Sequence, residues 1–241
     1  MSSTLGRLAL LLLLAAPLRG CLTYEYEHEI WLRVNGAGTV NVTGRPALWT
    51  AFKGLGRAED PDGTVTPAAV RELFERSGLR VRRVTLTRRG GQPYLFVSAD
   101  FDDVNKLAGT PAFPDLRLAL ARDGERLRLS GDWARPPGGV LPAPQHRTGL
   151  MAVRLHLPAK VYSHRNAVEG VERGNIVSWR QEVEPALLGQ SLELGAVMDR
   201  RSILGSTVLL FATAIAAALA LLALGLYLAL RRGRRQRAAQ G

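Results

Sequence analysis

The stretch from Val208 to Leu230 constrains this chain most: it holds 23 residues and no charged side chain. As a helix it spans ~35 Å, enough to cross the hydrocarbon core of a bilayer with some tilt. Arg231, Arg232, Arg234, Arg235 and Arg237 follow at once. A basic cluster in that place stays on the cytoplasmic side of a single span. The expected layout is a transmembrane helix over 203–230 and a basic cytoplasmic tail over 231–241, with the preceding chain outside the cytoplasm. The competing reading is a buried helix of a soluble protein. Length, apolarity and the Arg run count against it.

The N-terminus predicts export. Arg7 precedes a short apolar run from Leu8 to Ala16, a signal-peptide core too short for a stable span. Leu18-Arg19-Gly20-Cys21 resembles the lipobox of bacterial lipoproteins, in which the Cys becomes the acylated first residue of the mature chain. Arg19 stands where that pattern has a small or apolar residue. The alternative is an ordinary signal peptide ending near a Cys. Cys21 is the only cysteine, so an internal disulfide and a thiolate metal cluster are both excluded. The expected boundaries are a signal peptide over 1–20 and an extracytoplasmic domain over 21–202, with Cys21 as the lipidation site.

Charge says little about partners here. The chain carries a formal +11, but seven of its 32 basic residues lie in the leader or beyond the span. About +4 remains for the domain, which is no nucleic-acid footprint.

The domain reads as α+β, β-rich and antiparallel, with two or three short helices. Tyr24–Val34 alternates, with Tyr26, His28, Ile30 and Leu32 on one face and Glu27, Glu29 and Trp31 on the other. Asn35–Gly38 turns the chain into a returning strand. Helices are expected over 46–53 and from Pro67 to about Ser77, the second capped by Thr66. A hairpin follows over 79–99, then a helix over 102–108 and a second hairpin over 116–132. A Pro/Gly-rich loop covers 136–144. Strands at 149–157, 161–162 and 175–179, the last two joined by a turn at 166–170, and at 191–197 complete the pattern.

Several residue groups carry chemistry. Arg80, Arg82 and Arg88 lie on one strand and could face anionic lipid head groups; a charged edge strand explains them as well. Asp100, Asp102 and Asp103 could form an acid/base pair or bind a metal, but such a cluster more often caps a helix. The acidic loop at 59–63 lacks two of the oxygens that a calcium loop needs. His156 and His164 could meet across a bend, but no His pair has helical ligand spacing. Hydrolase, nucleotide-binding and metalloprotease signatures are absent, so no cofactor and no metal are expected.

Pro158-Ala159-Lys160-Val161, then Asn166, then Gly174-Asn175-Ile176-Val177-Ser178-Trp179 resembles the LppM-like family of bacterial lipoproteins. That pattern is a Pro-Gly-Lys-Val strand, an Asn-containing turn and a Gly-Asn-x-Val-x-Trp strand shortly before one C-terminal span. Ala159 replaces the family's glycine. The resemblance covers about 25 residues, together with the order of signal, Cys, β-rich domain, span and basic tail. It implies an α+β extracytoplasmic domain without established catalytic residues, and a role in handling envelope lipids.

The functional expectation is a membrane-anchored, non-enzymatic lipoprotein that binds an envelope lipid or a membrane partner. The rivals are a scaffold for another membrane protein and an envelope hydrolase built on Asp100–Asp103. The short links from Cys21 to the first strand, and from the last strand to the span, suggest that both ends of the domain lie near the leaflet. Tyr24, Tyr26 and Trp31 are then membrane-proximal, and a lipid groove lined by apolar strand faces lies beside the sheet.

Overall fold

The computed structural model describes residues 23–56, 65–167, 171–172 and 175–238. The predicted signal peptide, Cys21, the acidic loop at 59–63 and Gly174 lie outside these residues.

Alternation in the sequence becomes sheet directly. β1 (Tyr26–Leu32) buries Tyr26, His28, Ile30 and Leu32 and turns Glu27, Glu29 and Trp31 to the other face. β2 (Gly38–Gly44) returns antiparallel, with Gly38 opposite Leu32. α1 (Pro46–Lys53) starts on a proline, which suits the first helical position. It stops at Gly54, whose φ of 64° favours glycine. Every residue of α1 is buried, as befits a helix apolar on nearly all sides. α2 (Pro67–Arg76) is capped by the Thr66 hydroxyl, which accepts from the Ala69 amide, and points Val70, Leu73 and Phe74 inward.

The remaining strands are β3 (Arg80–Arg89), β4 (Gln92–Phe101), β5 (Leu116–Asp123), β6 (Arg126–Trp133), β7 (Leu150–His156), β8 (Val161–Arg165), β9 (Val171–Glu172), β10 (Ile176–Glu182) and β11 (Leu192–Asp199). The short α3 (Val183–Leu187) precedes β11, and α4 (Ile203–Ala238) closes the described chain. One sheet has the order β3-β4-β2-β1-β7-β10-β9 and the other β5-β6-β11-β8. Pairing is antiparallel except between β1 and β7. Both sheets, α1 and α2 share one apolar core, in which Phe52 of α1 meets Tyr26 of β1 and Trp133 of β6 at 4.9 and 4.5 Å between ring centres. The fold is α+β, with antiparallel-rich sheets, several short helices and one long C-terminal apolar helix.

Three local expectations change. The stretch 102–108 forms only a single tight turn at Val104–Lys106, capped by Asp103. Gly109 follows at φ 76°, which ends any helix there. The strands at 161–165 and 176–182 do not form a hairpin. β8 pairs with β11 in one sheet, whereas β10 pairs with β7 in the other. The chain changes sheets across Asn166, which adopts a left-handed φ of 59°.

The third concerns direction. The Asp199 amide donates to Lys160 O at 2.9 Å and the Ile203 amide to Pro158 O at 3.1 Å, which seats the start of α4 beside the β7–β8 connection. Leu32 and Val34 border the same place, so β1 ends at this base of the domain. Its first residue therefore lies about 20 Å away, six strand steps up. Tyr24 and Tyr26 are not at the end where α4 begins, the place expected of them; both are buried near the opposite one. Only Trp31 is close to the base. Local alternation gives no strand polarity, and the parallel β1–β7 pairing decides it.

Candidate functional site at the junction of domain and helix

Thr207–Tyr227 of α4 has a mean hydropathy of 2.5 and none of it is buried against the domain, so the helix is long and apolar enough to cross a membrane. Where it meets the domain there is an open cleft of about 600 Å³. Leu32 and Val34 form one wall, Pro158 and Asn175 another, and Ile203 and Thr207 of α4 the third. The cleft lies at strand ends rather than along strand faces. The inner strand faces, where a groove was expected, fill the core instead.

The rim is cationic. Arg33 lines the cleft, and Arg122 and Arg200 line a neighbouring hollow with Val34 and Asn35. Arg201, exposed like them, begins the turn into α4. Arg33 and Arg122 have no carboxylate within ion-pair distance among the described residues. Arg200 reaches Glu125 only at 3.7 Å. Two amphipathic aromatics flank the base on opposite sheets. Trp31, 37% exposed, stacks on His156 with ring centres 4.5 Å apart. Tyr162, 48% exposed, donates to Asp199 and lies under Arg126 and Lys160.

The motif residues gather at this base and at the sheet change. Pro158 and Lys160 offer their carbonyls to Ile203 and Asp199. The Asn175 side chain donates to Leu157 O at 2.6 Å and holds β10 to the end of β7. The Asn166 side chain donates from Nδ2 to Glu193 O at 3.4 Å. Trp179, fully buried, donates its indole N–H to Arg165 O and thereby ties one sheet to the other.

Arg80, Arg82 and Arg88 do not form a cluster. β3 is an edge strand, with Arg80 and Arg82 near the base end and Arg88 at the far hairpin turn. Arg82 pairs with Asp100 at 2.7 Å and Arg80 with Asp102 at 3.5 Å. Burial would raise the Asp100 carboxyl, but hydrogen bonds from Arg82 and Thr39 hold it below the ordinary value. Each carboxylate of this trio thus has a structural partner. His156 bonds Glu29 at 2.8 Å in the seven-stranded sheet, whereas His164 sits on β8 of the other, so the two do not meet. Among the described residues no group of three or more His, Cys, Asp and Glu could hold a metal ion.

One charged cluster has no counterpart in the sequence reading. Lys53, Asp115 and His28 are fully buried together: Lys53 Nζ is 2.6 Å from Asp115 Oδ1 and 3.1 Å from His28 Nε2. Trp133 and Tyr26 donate to Asp115 Oδ2 at 3.3 and 3.4 Å. Burial pushes the His28 imidazole well below its usual value, and the Lys53 charge pushes it further. His28 is therefore neutral, with Nε2 accepting from Lys53. A His inside an apolar face was the available signal; its partners come from a helix end and a loop that no local pattern links to it.

The molecule is thus a two-sheet α+β domain carried on one helix of membrane-spanning length. No protein-family model matches the sequence, and no curated protein does. Among solved structures, the NMR structure of the folded domain of the LppM protein of Mycobacterium tuberculosis is similar. Identity is 13%, the match covers 74% of this chain and 90% of that one, and the TM-score is 0.40.

Proposed function

We propose that this is a membrane-anchored, non-enzymatic protein whose extracytoplasmic domain takes an envelope lipid into the cleft at its base. The observation that carries this reading is the position of the cleft. Leu32, Val34, Pro158 and Ile203 give it apolar walls, and it opens where α4 would enter the bilayer. A lipid leaving the leaflet along α4 would keep its chain on apolar surface while its head group met Arg33. The Asp100–Asp103 trio is engaged in ion pairs and a cap, which speaks against the hydrolase reading.

The test is mass spectrometry of lipids that co-purify with the detergent-extracted full chain. Val34→Trp should fill the cleft and remove most retained lipid. Leu86→Trp, at an exposed position on the edge strand, should leave it unchanged. Equal lipid in both variants and the wild type would refute the assignment of this cleft.

A further inference from the structure

The base of the domain carries a second feature besides the cleft. Exposed Arg33, Arg122, Lys160, Arg200 and Arg201 stand near the entry of α4, at the ends of β1, β5, β7 and β11. Nearby acids offset them only in part: Asp123 is engaged by Arg128 at 2.7 Å, Asp199 accepts from Tyr162 and from the Arg201 backbone N–H, and Glu125 faces Arg200 at 3.7 Å. At the end of β4, Asp102 pairs with Arg80 at 3.5 Å and Asp103 caps the following turn. Trp31 on one sheet and Tyr162 on the other stand beside these cations, one on each side of the base. Amphipathic rings next to Arg and Lys, at the mouth of a span, are the side chains that settle at head-group depth.

We infer that the base is a bilayer-contact surface: it rests on the anionic head groups of the outer leaflet and holds the domain against the membrane. This rests on the reading of α4 as a span, but not on lipid uptake by the cleft. The occupant follows from continuity and charge. The bilayer that receives α4 is the one surface that must lie under this ring, and its head-group phosphates match the unpaired guanidinium groups. Each such cation near a charged membrane surface shifts the docked population by about fivefold.

Trp31 gives a direct readout, because Trp49, Trp133 and Trp179 are fully buried. The full chain is placed in nanodiscs of phosphatidylcholine alone or with phosphatidylglycerol, each containing a head-group spin-labelled lipid. Tryptophan emission should be quenched in the phosphatidylglycerol discs and much less in the neutral ones. Trp31→Phe should remove the quenched component. The double variant Arg33→Glu, Arg122→Glu should lose it as well, whereas Arg88→Glu at the far hairpin should not. Quenching that ignores both lipid charge and the double variant would overturn the inference. Alkaline carbonate extraction separates the causes. Protein that stays in the membrane without quenching refutes the contact surface alone, and protein that is released refutes the span beneath it.

Discussion

Lys53 Nζ lies 2.6 Å from Asp115 Oδ1 with neither side chain reaching solvent, and this contact joins the end of α1 to the residue before β5. Burying such a pair costs several kcal/mol of desolvation per ion, which the mutual attraction and the Trp133 and Tyr26 hydrogen bonds offset. Burial draws the Lys53 ammonium down and the Asp115 carboxyl up, each opposed by the partner's charge. Removing one partner should therefore cost more than removing both. Lys53→Met is expected to destabilise the domain by ~3–5 kcal/mol, and Lys53→Met combined with Asp115→Leu to recover most of that. Denaturant unfolding of the detergent-solubilised chain, followed by Trp emission, measures both.

His28 makes the same cluster sensitive to acid. The unfolded chain takes up a proton at this residue near pH 6.5, while the folded chain holds it neutral well below that value. The unfolded state thus binds more protons between those two points, and stability falls as pH falls through that window. The slope should approach ~1.4 kcal/mol per pH unit. His28→Asn should flatten this part of the profile, and melting curves between pH ~7 and ~5 provide the check. An unchanged slope in the variant would assign the acid sensitivity elsewhere.

Trp179 holds the two sheets together where the chain passes from one to the other. Its indole N–H donates to Arg165 O at 2.6 Å. Trp179→Phe keeps most of the apolar volume but leaves that carbonyl without its donor. The expected loss is ~1–3 kcal/mol. Faster amide exchange on β8 than on β1 should accompany it, because β8 is an edge strand held on one side by β11.

The five arginines after Leu230, in the last turns of α4, predict the topology. A reporter active only in the cytoplasm should be active when fused after Gly241 and silent when inserted in the loop at 136–144. The reverse pattern would invert the orientation proposed for the domain.

Cys21 gives a separate prediction. If it is acylated, Cys21→Ser should abolish labelling by a fatty-acid probe and block processing of the leader. The variant should stay in the membrane nonetheless, since a span of this length inserts almost irreversibly. Unchanged labelling would remove the lipidation site.

The elements of the domain were legible because their signals are local. Alternation marked β1, Pro46 and Gly54 bracketed α1, and Thr66 with Pro67 opened α2. Pairing was less legible. The switch of β8 and β10 to different sheets depends on Asn166 and on contacts far apart in sequence, and the turn residues suit a hairpin just as well. The site was legible in kind but not in place. The span, the Pro158–Trp179 motif and the Arg-rich composition were visible, yet the cleft arises only when the ends of β1, β7 and α4 converge. Arg80 and Arg88 share a strand and so looked like neighbours, although eight strand steps keep them far apart. The Lys53–Asp115–His28 cluster was invisible for a related reason: its members are separated by 25 and 62 positions.

The direction of β1 has a mechanical consequence. Tyr24 is buried and the Glu25 amide bonds Leu150 O, so from Cys21 to Tyr24 the chain can stretch at most ~11 Å, and β1 then descends about 20 Å before it reaches the base. An acyl group at Cys21 could enter the leaflet only if the domain leaned over on the side of that tether, pivoting where α4 begins. Acylation would then act as a guy-rope with no slack: attached, it fixes the tilt of the domain, and absent, it leaves the base alone to set that angle.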